Sequence, residues 1–116
     1  MFVGSNEAAC KPVIFGIVND EKVKKKSKLI VVDPRMSETA SRADLWLPVK
    51  PSTDMALALS MMYHIIEKDL HNKDFIDKKV LGFDKLKAVL IEKKYTPEWA
   101  EKVTGIKAKT IKELAE

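Results

Sequence analysis

Apolar and polar positions alternate along the first half of the chain in blocks that predict short strands separated by helices. The clearest strand is predicted over 28–33, where the four aliphatic residues Leu29, Ile30, Val31 and Val32 follow one another. Because a strand that is apolar on both faces needs a cover on each side, this block favours a parallel sheet between helices. The other elements predicted in this half are a strand stub at 2–3, a helix over 7–26, a short helix over 37–43 and a strand over 45–49.

The predicted helix over 7–26 contains a proline near its start. Pro12 lacks a backbone N–H and is best tolerated in a first turn, so we expect the regular helix to begin near Lys11 rather than at Glu7. The helix is predicted from apolar residues at the spacing i, i+1, i+4, i+5, which are Val13, Ile14, Ile17 and Val18.

The second half of the chain is predicted to be helical throughout. A long apolar helix is expected over 55–69, with Ser52-Thr53-Asp54 as its cap. Glycine and Thr-Pro signals separate further helices near 73–80, 83–93, 97–103 and 108–115. The whole order predicts an α/β protein with a short parallel sheet and a helical C-terminal tail, packed as one compact unit.

Composition narrows the class of protein. The chain has 116 residues, of which 46% are hydrophobic and 33% are charged, and this balance fits one globular domain. No apolar run approaches the roughly 20 residues that span a bilayer, and no secretory leader is recognisable, so a cytoplasmic location is expected. The lack of glutamine beside abundant lysine and glutamate leans towards a thermophilic source.

The formal charge of +4 arises mostly from lysine, since only Arg35 and Arg42 are arginines. Lysine suits solvated helix faces, whereas recognition of bases and phosphates favours arginine. Nucleic acid is therefore not the expected partner. A small basic nucleic-acid-binding protein stays open as an alternative, but it should cluster arginines and aromatic residues, and Trp46 and Trp99 look like packing residues.

Classical catalytic and metal-binding arrangements are not recognisable in this sequence. Cys10 is the only cysteine and is interpreted as a small packed side chain, because neither histidine is near it in sequence. His64 is interpreted as an interior histidine and His71 as a turn histidine. No catalytic residue and no metal ligand is therefore assigned to this chain.

Three polar clusters follow the three predicted strands. Because the carboxyl ends of parallel strands meet at one edge of a sheet, we expect the clusters to line a crevice where helix amino termini face phosphate. Gly4 allows a phosphate to approach closely, Asp33 is suited to accept from ribose hydroxyls, and Asp54 from two adjacent donors on guanine. The clusters are Gly4-Ser5-Asn6, Asp33-Pro34-Arg35 and Pro51-Ser52-Thr53-Asp54.

These clusters predict a nucleotide-type ligand without matching a common nucleotide-binding motif. The segment from Gly4 to Ala9 lacks the second and third glycines of the dinucleotide fingerprint, and the chain has no phosphate-loop lysine motif. A free-standing dehydrogenase or NTPase is therefore not supported. A free-standing nucleotide-binding module or enzyme stays open, although an enzyme would need an acid/base pair at this edge.

The order of short motifs resembles the molybdopterin oxidoreductases related to dimethyl sulfoxide reductase, and formate dehydrogenase catalytic subunits in particular. The resemblance covers almost the whole chain. Its main motifs are Gly4-Ser5-Asn6 with Lys11-Pro12-Val13, the segment Lys28 to Arg35, Glu38-Thr39-Ala40 with Ala43-Asp44, and Pro51 to Leu57.

The resemblance implies a Rossmann-like, three-layer domain over 1–116 that holds one of two molybdopterin guanine dinucleotides around molybdenum or tungsten. It implies that the cluster at Gly4 lines the diphosphate and ribose region, that Asp33-Pro34-Arg35 lies at the nucleoside end, and that the loop with Thr53 and Asp54 holds guanine. It further implies, as partners, the remaining domains or subunits of a parent oxidoreductase. This chain alone is then not expected to be catalytic.

The sequence departs from that family at several positions. Family members often have proline where Glu7 stands, histidine where Lys11 stands and glycine where Ser52 stands. The context that supplies a cysteine or selenocysteine metal ligand, the cluster-binding cysteines and a second pterin domain are missing. We therefore expect either a fragment or one piece of a split enzyme.

Overall fold

The computed structural model describes all residues from Met1 to Glu116. Its packing divides into two compact units, Met1–Pro51 and Ser52–Glu116. The sequence predicts one compact unit, whereas the chain packs as two. The assignment of 1–116 to a single cofactor-binding domain stays a prediction.

The first unit contains a parallel sheet of three strands in the order β1-β2-β3. Val31 in the central strand pairs with Phe2 on one side and with Trp46 on the other. The α/β class and the parallel sheet are therefore confirmed. The elements of this unit are β1 Phe2–Val3, α1 Glu7–Cys10, α2 Pro12–Val23, β2 Ile30–Val32, α3 Glu38–Ser41 and β3 Leu45–Leu47.

Strands β2 and β3 are shorter than the predicted ranges because local contacts interrupt their pairing, whereas β1 has the predicted range. The N–H of Leu29 donates to the Asp44 carboxylate (2.8 Å), and β2 begins at Ile30, two residues after the predicted start. After β3, Pro48 has no N–H, and the N–H of Val49 turns back to the carbonyl of Leu47 (2.9 Å). The aliphatic run is nevertheless buried as predicted, with Val31 and Val32 fully inaccessible.

Helix α2 begins where proline chemistry predicts, and it buries Phe15 against the sheet. Lys11 has non-helical backbone angles and separates α1 from α2, and Pro12 occupies the first turn. Phe15 is the buried residue of α2 and packs with Leu29 and Val31, while Val18 is half-buried against the same cluster. The large Phe15 ring takes the sheet side of α2, and Val13, Ile14 and Ile17 face solvent.

The second unit is entirely helical, which confirms the predicted helical tail. Helix α4 packs against α6, α7 and α8, and Leu90 and Ile111 are fully buried there. Two helices begin with side-chain caps, from Asn72 to the N–H of Phe75 (2.9 Å) and from Thr96 to that of Trp99 (3.2 Å). The helices are α4 Asp54–Glu67, α5 Lys73–Lys79, α6 Phe83–Lys93, α7 Pro97–Thr104 and α8 Ala108–Ala115.

Candidate functional site

The carboxyl ends of the three parallel strands share one edge of the first unit. The N–H of Gly4 donates to the carbonyl of Val32 (2.9 Å), and the N–H of Asp33 donates to that of Leu47 (3.2 Å). These bonds fix the loops after β1 and β2 beside each other at this edge. The first two predicted clusters are thus neighbours, and their role in binding stays a prediction.

Gly4 provides an open point in the loop after β1. Its φ of +59° lies in the left-handed region that favours glycine, and a Cβ added there would meet no atom within 4 Å. The space above this backbone is therefore free for a ligand, and a side chain at this position would both strain the loop and narrow the approach.

The Asn6 side chain is held by Thr39, the second residue of helix α3. The Oδ1 atom of Asn6 accepts from the N–H of Thr39 (3.3 Å) and from its hydroxyl (2.9 Å). The same hydroxyl accepts from the N–H of Ala8 (2.9 Å), and Thr39 is completely buried. Both bonds fall on Oδ1, so neither of them uses the two N–H donors of Asn6 Nδ2.

The structure assigns Thr39 a positioning role that the sequence analysis missed. In the sequence, Thr39 belongs to a motif to which no function was assigned. The one local signal near it is Ser37, which caps α3 as predicted by accepting from the N–H of Ala40 (3.3 Å). That cap sets the start of α3 and so turns Thr39 inward. Its contact with Asn6 spans 33 residues of sequence, which no local pattern reveals.

A buried carboxylate lies directly behind this loop. Glu7 is only 6% exposed, and its Oε1 accepts from the Ser5 hydroxyl (2.5 Å) and lies 3.6 Å from the ammonium of Lys11. Because Ser5 donates its hydroxyl proton to Glu7, that proton is not available to a ligand. The Lys11 charge offsets the negative charge of Glu7 next to the loop.

Asp33 is nearly buried, and one of its carboxylate oxygens stabilises the turn after β2. Its Oδ1 accepts from the N–H of Arg35 (2.8 Å), and its backbone carbonyl accepts from the indole of Trp46 (2.8 Å). The residue is 8% exposed, whereas Pro34 and Arg35 are exposed. This arrangement leaves Oδ2 of Asp33 as an acceptor and the Arg35 guanidinium as a cation at the rim.

The third predicted cluster crosses from the first unit into the second. Pro51 ends the first unit, and Ser52, Thr53 and Asp54 begin the second. Thr53 is the N-cap of α4, and its carbonyl accepts from the N–H of Ala56 (3.0 Å) and of Leu57 (3.3 Å). Asp54 is therefore the first helical residue, where the positive end of the helix dipole favours a carboxylate.

Ser52 adopts a backbone conformation suited to glycine, with φ of +64°. We expect Ser52→Gly to raise the free energy of unfolding by about 0.5 kcal/mol, since relief of left-handed strain outweighs the entropy of glycine. Ser52→Val should lower it by about 1–2 kcal/mol because a β-branched residue tolerates this region poorly. Urea unfolding of the two variants checks this, and equal values would show that the turn is not left-handed in solution.

The residues with conventional catalytic chemistry lie elsewhere. Cys10 is exposed, so the prediction that it is packed was wrong; it ends α1, whose short length leaves that side chain uncovered. His64 is 2% exposed, with Nε2 3.3 Å from the Glu116 carboxylate and no partner at Nδ1, so the interior position is confirmed. His71 lies 3.7 Å from Asp69. No group of His, Cys, Asp and Glu side chains is arranged to hold a metal ion.

The opposite, amino-terminal edge of the sheet carries a basic hollow of about 440 Å³. Lysines line it, and the N–H of Leu29 together with the Lys22 ammonium lowers the pKa of Asp44 there. The Arg42 guanidinium does not line the hollow, because it pairs with the Glu38 carboxylate (2.9 Å) and lies over the Phe15 ring. The side chains that line the hollow include no arginine and no aromatic residue. No helix combines the length and apolar character that crossing a membrane demands.

Comparisons with known proteins confirm the predicted resemblance. The family model described as molybdopterin oxidoreductase matches residues 1–111. The alpha subunit of a formate dehydrogenase from Methanocaldococcus jannaschii is 39% identical over 115 residues, covering 99% of this chain and 17% of that subunit. A dimethyl sulfoxide reductase from Haemophilus influenzae is 34% identical, covering 84% of this chain and 14% of that protein. The structure of acetylene hydratase from Pelobacter acetylenicus superposes with a TM-score of 0.80 at 35% identity, over 98% of this chain and 15% of that one.

Proposed function

Because the chain belongs to the molybdopterin oxidoreductase family, we propose that it is the cofactor-binding part of an oxidoreductase resembling formate dehydrogenase. Its ligand in this proposal is the guanine dinucleotide portion of a molybdopterin guanine dinucleotide. The bound cofactor, with molybdenum or tungsten, would supply the redox chemistry, and this chain would supply position and charge. The chain alone is then a binding module without turnover.

The observation that carries the proposal is the pairing of the Gly4 and Asp33 loops at one edge of the sheet. A diphosphate needs close backbone approach and several N–H donors, and the open space at Gly4, the N–H of Ser5 and the amide of Asn6 fit that need. Arg35 adds a planar cation at the rim. The donor set of this edge therefore fits a diphosphate.

In this proposal, two carboxylates bind the nucleoside end of the cofactor. Oδ2 of Asp33 would accept from the ribose hydroxyls, since Oδ1 already holds the turn with Pro34 and Arg35. Asp54 would accept from the two neighbouring N–H donors on guanine, a pair that adenine does not present. The rest of the guanine loop in this proposal is Pro51, Ser52 and Thr53.

The buried charge of Glu7 opposes an anion beside this loop, and only Lys11 offsets it. Half of the binding pocket would also belong to another domain of the parent enzyme. The isolated chain should therefore bind GDP weakly, with a dissociation constant on the order of 1 mM or above. The remaining domains or subunits of the parent, located in the cytoplasm, are the partners that the proposal requires.

A nitrogen-15 NMR titration of the chain with GDP and ADP tests this assignment. We expect GDP to shift the amides of 4–6, 33–35 and 52–54, and ADP to bind at least about threefold more weakly, because adenine lacks the donor pair. Asp54→Asn should remove the preference, since the amide replaces one acceptor with a donor.

Equal shifts with GDP and ADP would remove the guanine assignment. Shifts at none of the three loops would remove the nucleotide assignment altogether. A short oligonucleotide serves as the third titrant, since salt-sensitive binding at the lysine hollow would favour the nucleic-acid alternative. Asp54→Glu, which keeps both acceptors on a longer side chain, is the matched control for the charge of Asp54.

A further inference from the structure

We propose that an exposed apolar stripe on helix α2, formed by Val13, Ile14 and Ile17, is the surface on which the remainder of the parent oxidoreductase docks. This inference rests on the proposed function, because it needs a parent enzyme in which this chain is one part. Beyond the proposed function, it identifies the surface at which the partner binds and the chemistry of that partner, which is an uncharged, apolar face of the rest of the parent enzyme.

The first half of helix α2 is apolar both on the side that packs on the sheet and on the side that faces solvent. Phe15 and Val18 pack on the sheet, while Val13, Ile14 and Ile17 remain 77%, 52% and 63% exposed. A surface helix ordinarily places polar residues on its outer side, and a helix that is apolar all round is ordinarily buried. The stripe is therefore expected to have a cover that this chain does not provide.

The limits of the stripe define the extent of the docking surface. Residues three and four apart share one helical face, so the stripe continues from Ile17 to Asp20 and Glu21. These carboxylates end the apolar area after the first half of α2. The partner should therefore cover the amino-terminal half of the helix and leave Val23, at its carboxyl end, in solvent.

The position of the stripe points to the parent enzyme as the occupant. Helix α2 follows β1 through α1, so its amino-terminal half begins near the edge that carries Gly4 and Asn6. A partner seated there would adjoin the proposed diphosphate loop and complete its surroundings. The chain matches only 17% of the length of the Methanocaldococcus jannaschii subunit, so a parent of that size has ample further surface to supply.

The test grafts this chain into the Methanocaldococcus jannaschii alpha subunit in place of its matching 115 residues. Ile17→Lys is compared with Val23→Lys, a matched control on the same helix that is 71% exposed in the chain. Lysine is a good helix former, so both variants of the isolated chain should keep their melting temperature within about 2 °C. In the graft, we expect Ile17→Lys to reduce the yield of soluble, monodisperse protein at least fivefold and Val23→Lys to leave it unchanged.

A second measurement covers the case in which the graft does not fold. The tagged chain is co-expressed with the subunit lacking the matching segment, and co-purification should fall at least fivefold with Ile17→Lys alone. Equal effects of the two lysines, or a wild-type chain that neither assembles in the graft nor co-purifies, would overturn the proposal. A dimer of the isolated chain that Ile17→Lys dissociates, with an unaffected graft, would make a second copy the occupant. The GDP titration reads out a different surface, so its failure is distinguishable from failure here.

Discussion

Replacement of Thr39 by valine is expected to destabilise the first unit by about 2 kcal/mol, because it removes a buried hydroxyl that satisfies two partners. The hydroxyl donates to Asn6 and accepts from the N–H of Ala8, and Thr39 has no exposed surface. Valine has nearly the same shape but no polar atom. The N–H of Ala8 would lose its partner, and Asn6 would keep only the longer bond from the Thr39 backbone.

The loss should appear in binding as well as in stability. Hydrogen exchange at the amides of Val31 and Val32 reports the stability of the first unit, and we expect their exchange free energy to fall by about 2 kcal/mol. The dissociation constant for GDP should rise about fivefold, equivalent to about 1 kcal/mol, because Asn6 is no longer held in place.

Thr39→Ser is the control that separates these two effects. Serine keeps the hydroxyl and loses a methyl group, so it should cost about 1 kcal/mol of stability through the small cavity. Its affinity for GDP should stay within about twofold of the wild-type value, because the bond to Asn6 remains. If affinity instead follows stability in both variants, Thr39 is a packing residue and does not position the loop.

Replacement of Asp33 by alanine is expected to lower the affinity for GDP at least about tenfold, the cost of losing a hydrogen bond to a charged group. Alanine removes the proposed ribose acceptor and also the oxygen that holds the N–H of Arg35 (2.8 Å). The turn after β2 should therefore loosen at the same time, which exchange of the Arg35 amide measures.

Asp33→Asn divides the two contributions. The asparagine carbonyl replaces Oδ1 and keeps the bond to Arg35, while its NH₂ group replaces the acceptor that the ribose hydroxyls require. We expect the Arg35 amide to stay protected and GDP binding to fall as far as in the alanine variant. Wild-type affinity in Asp33→Asn would instead show that Asp33 acts through the turn and does not contact the nucleotide.

The Ser5 and Glu7 contact changes how the loop after β1 is expected to bind. The resemblance implies that Gly4, Ser5 and Asn6 all line the diphosphate and ribose region. The structure distinguishes them, since the Ser5 side chain is engaged by a carboxylate, while the Asn6 amide is oriented by Thr39. Backbone donors and one amide are therefore the groups that the proposal depends on.

Patterns within a few residues were sufficient for the secondary structure and for the family. The aliphatic run at 28–33, the proline at position 12 and the cap at Ser37 each act locally, and the elements they predict are present. The ordered motifs indicated the molybdopterin oxidoreductases, which the family match bears out. The ends of the strands were less predictable. The Asp44 carboxylate engages the N–H of Leu29 just before β2, and Pro48, just after β3, has no N–H to donate.

The sequence by itself therefore determined the order of elements and the chain positions of the polar loops, since both depend on neighbours along the backbone. Only the tertiary structure decided which side of α2 is buried, because Phe15 competes with Val13 and Ile17 for one sheet surface. It also decided that Thr39 holds Asn6, a contact between residues 33 apart. Packing and hydrogen bonding over such separations depend on three-dimensional distance, which periodicity along the chain does not contain.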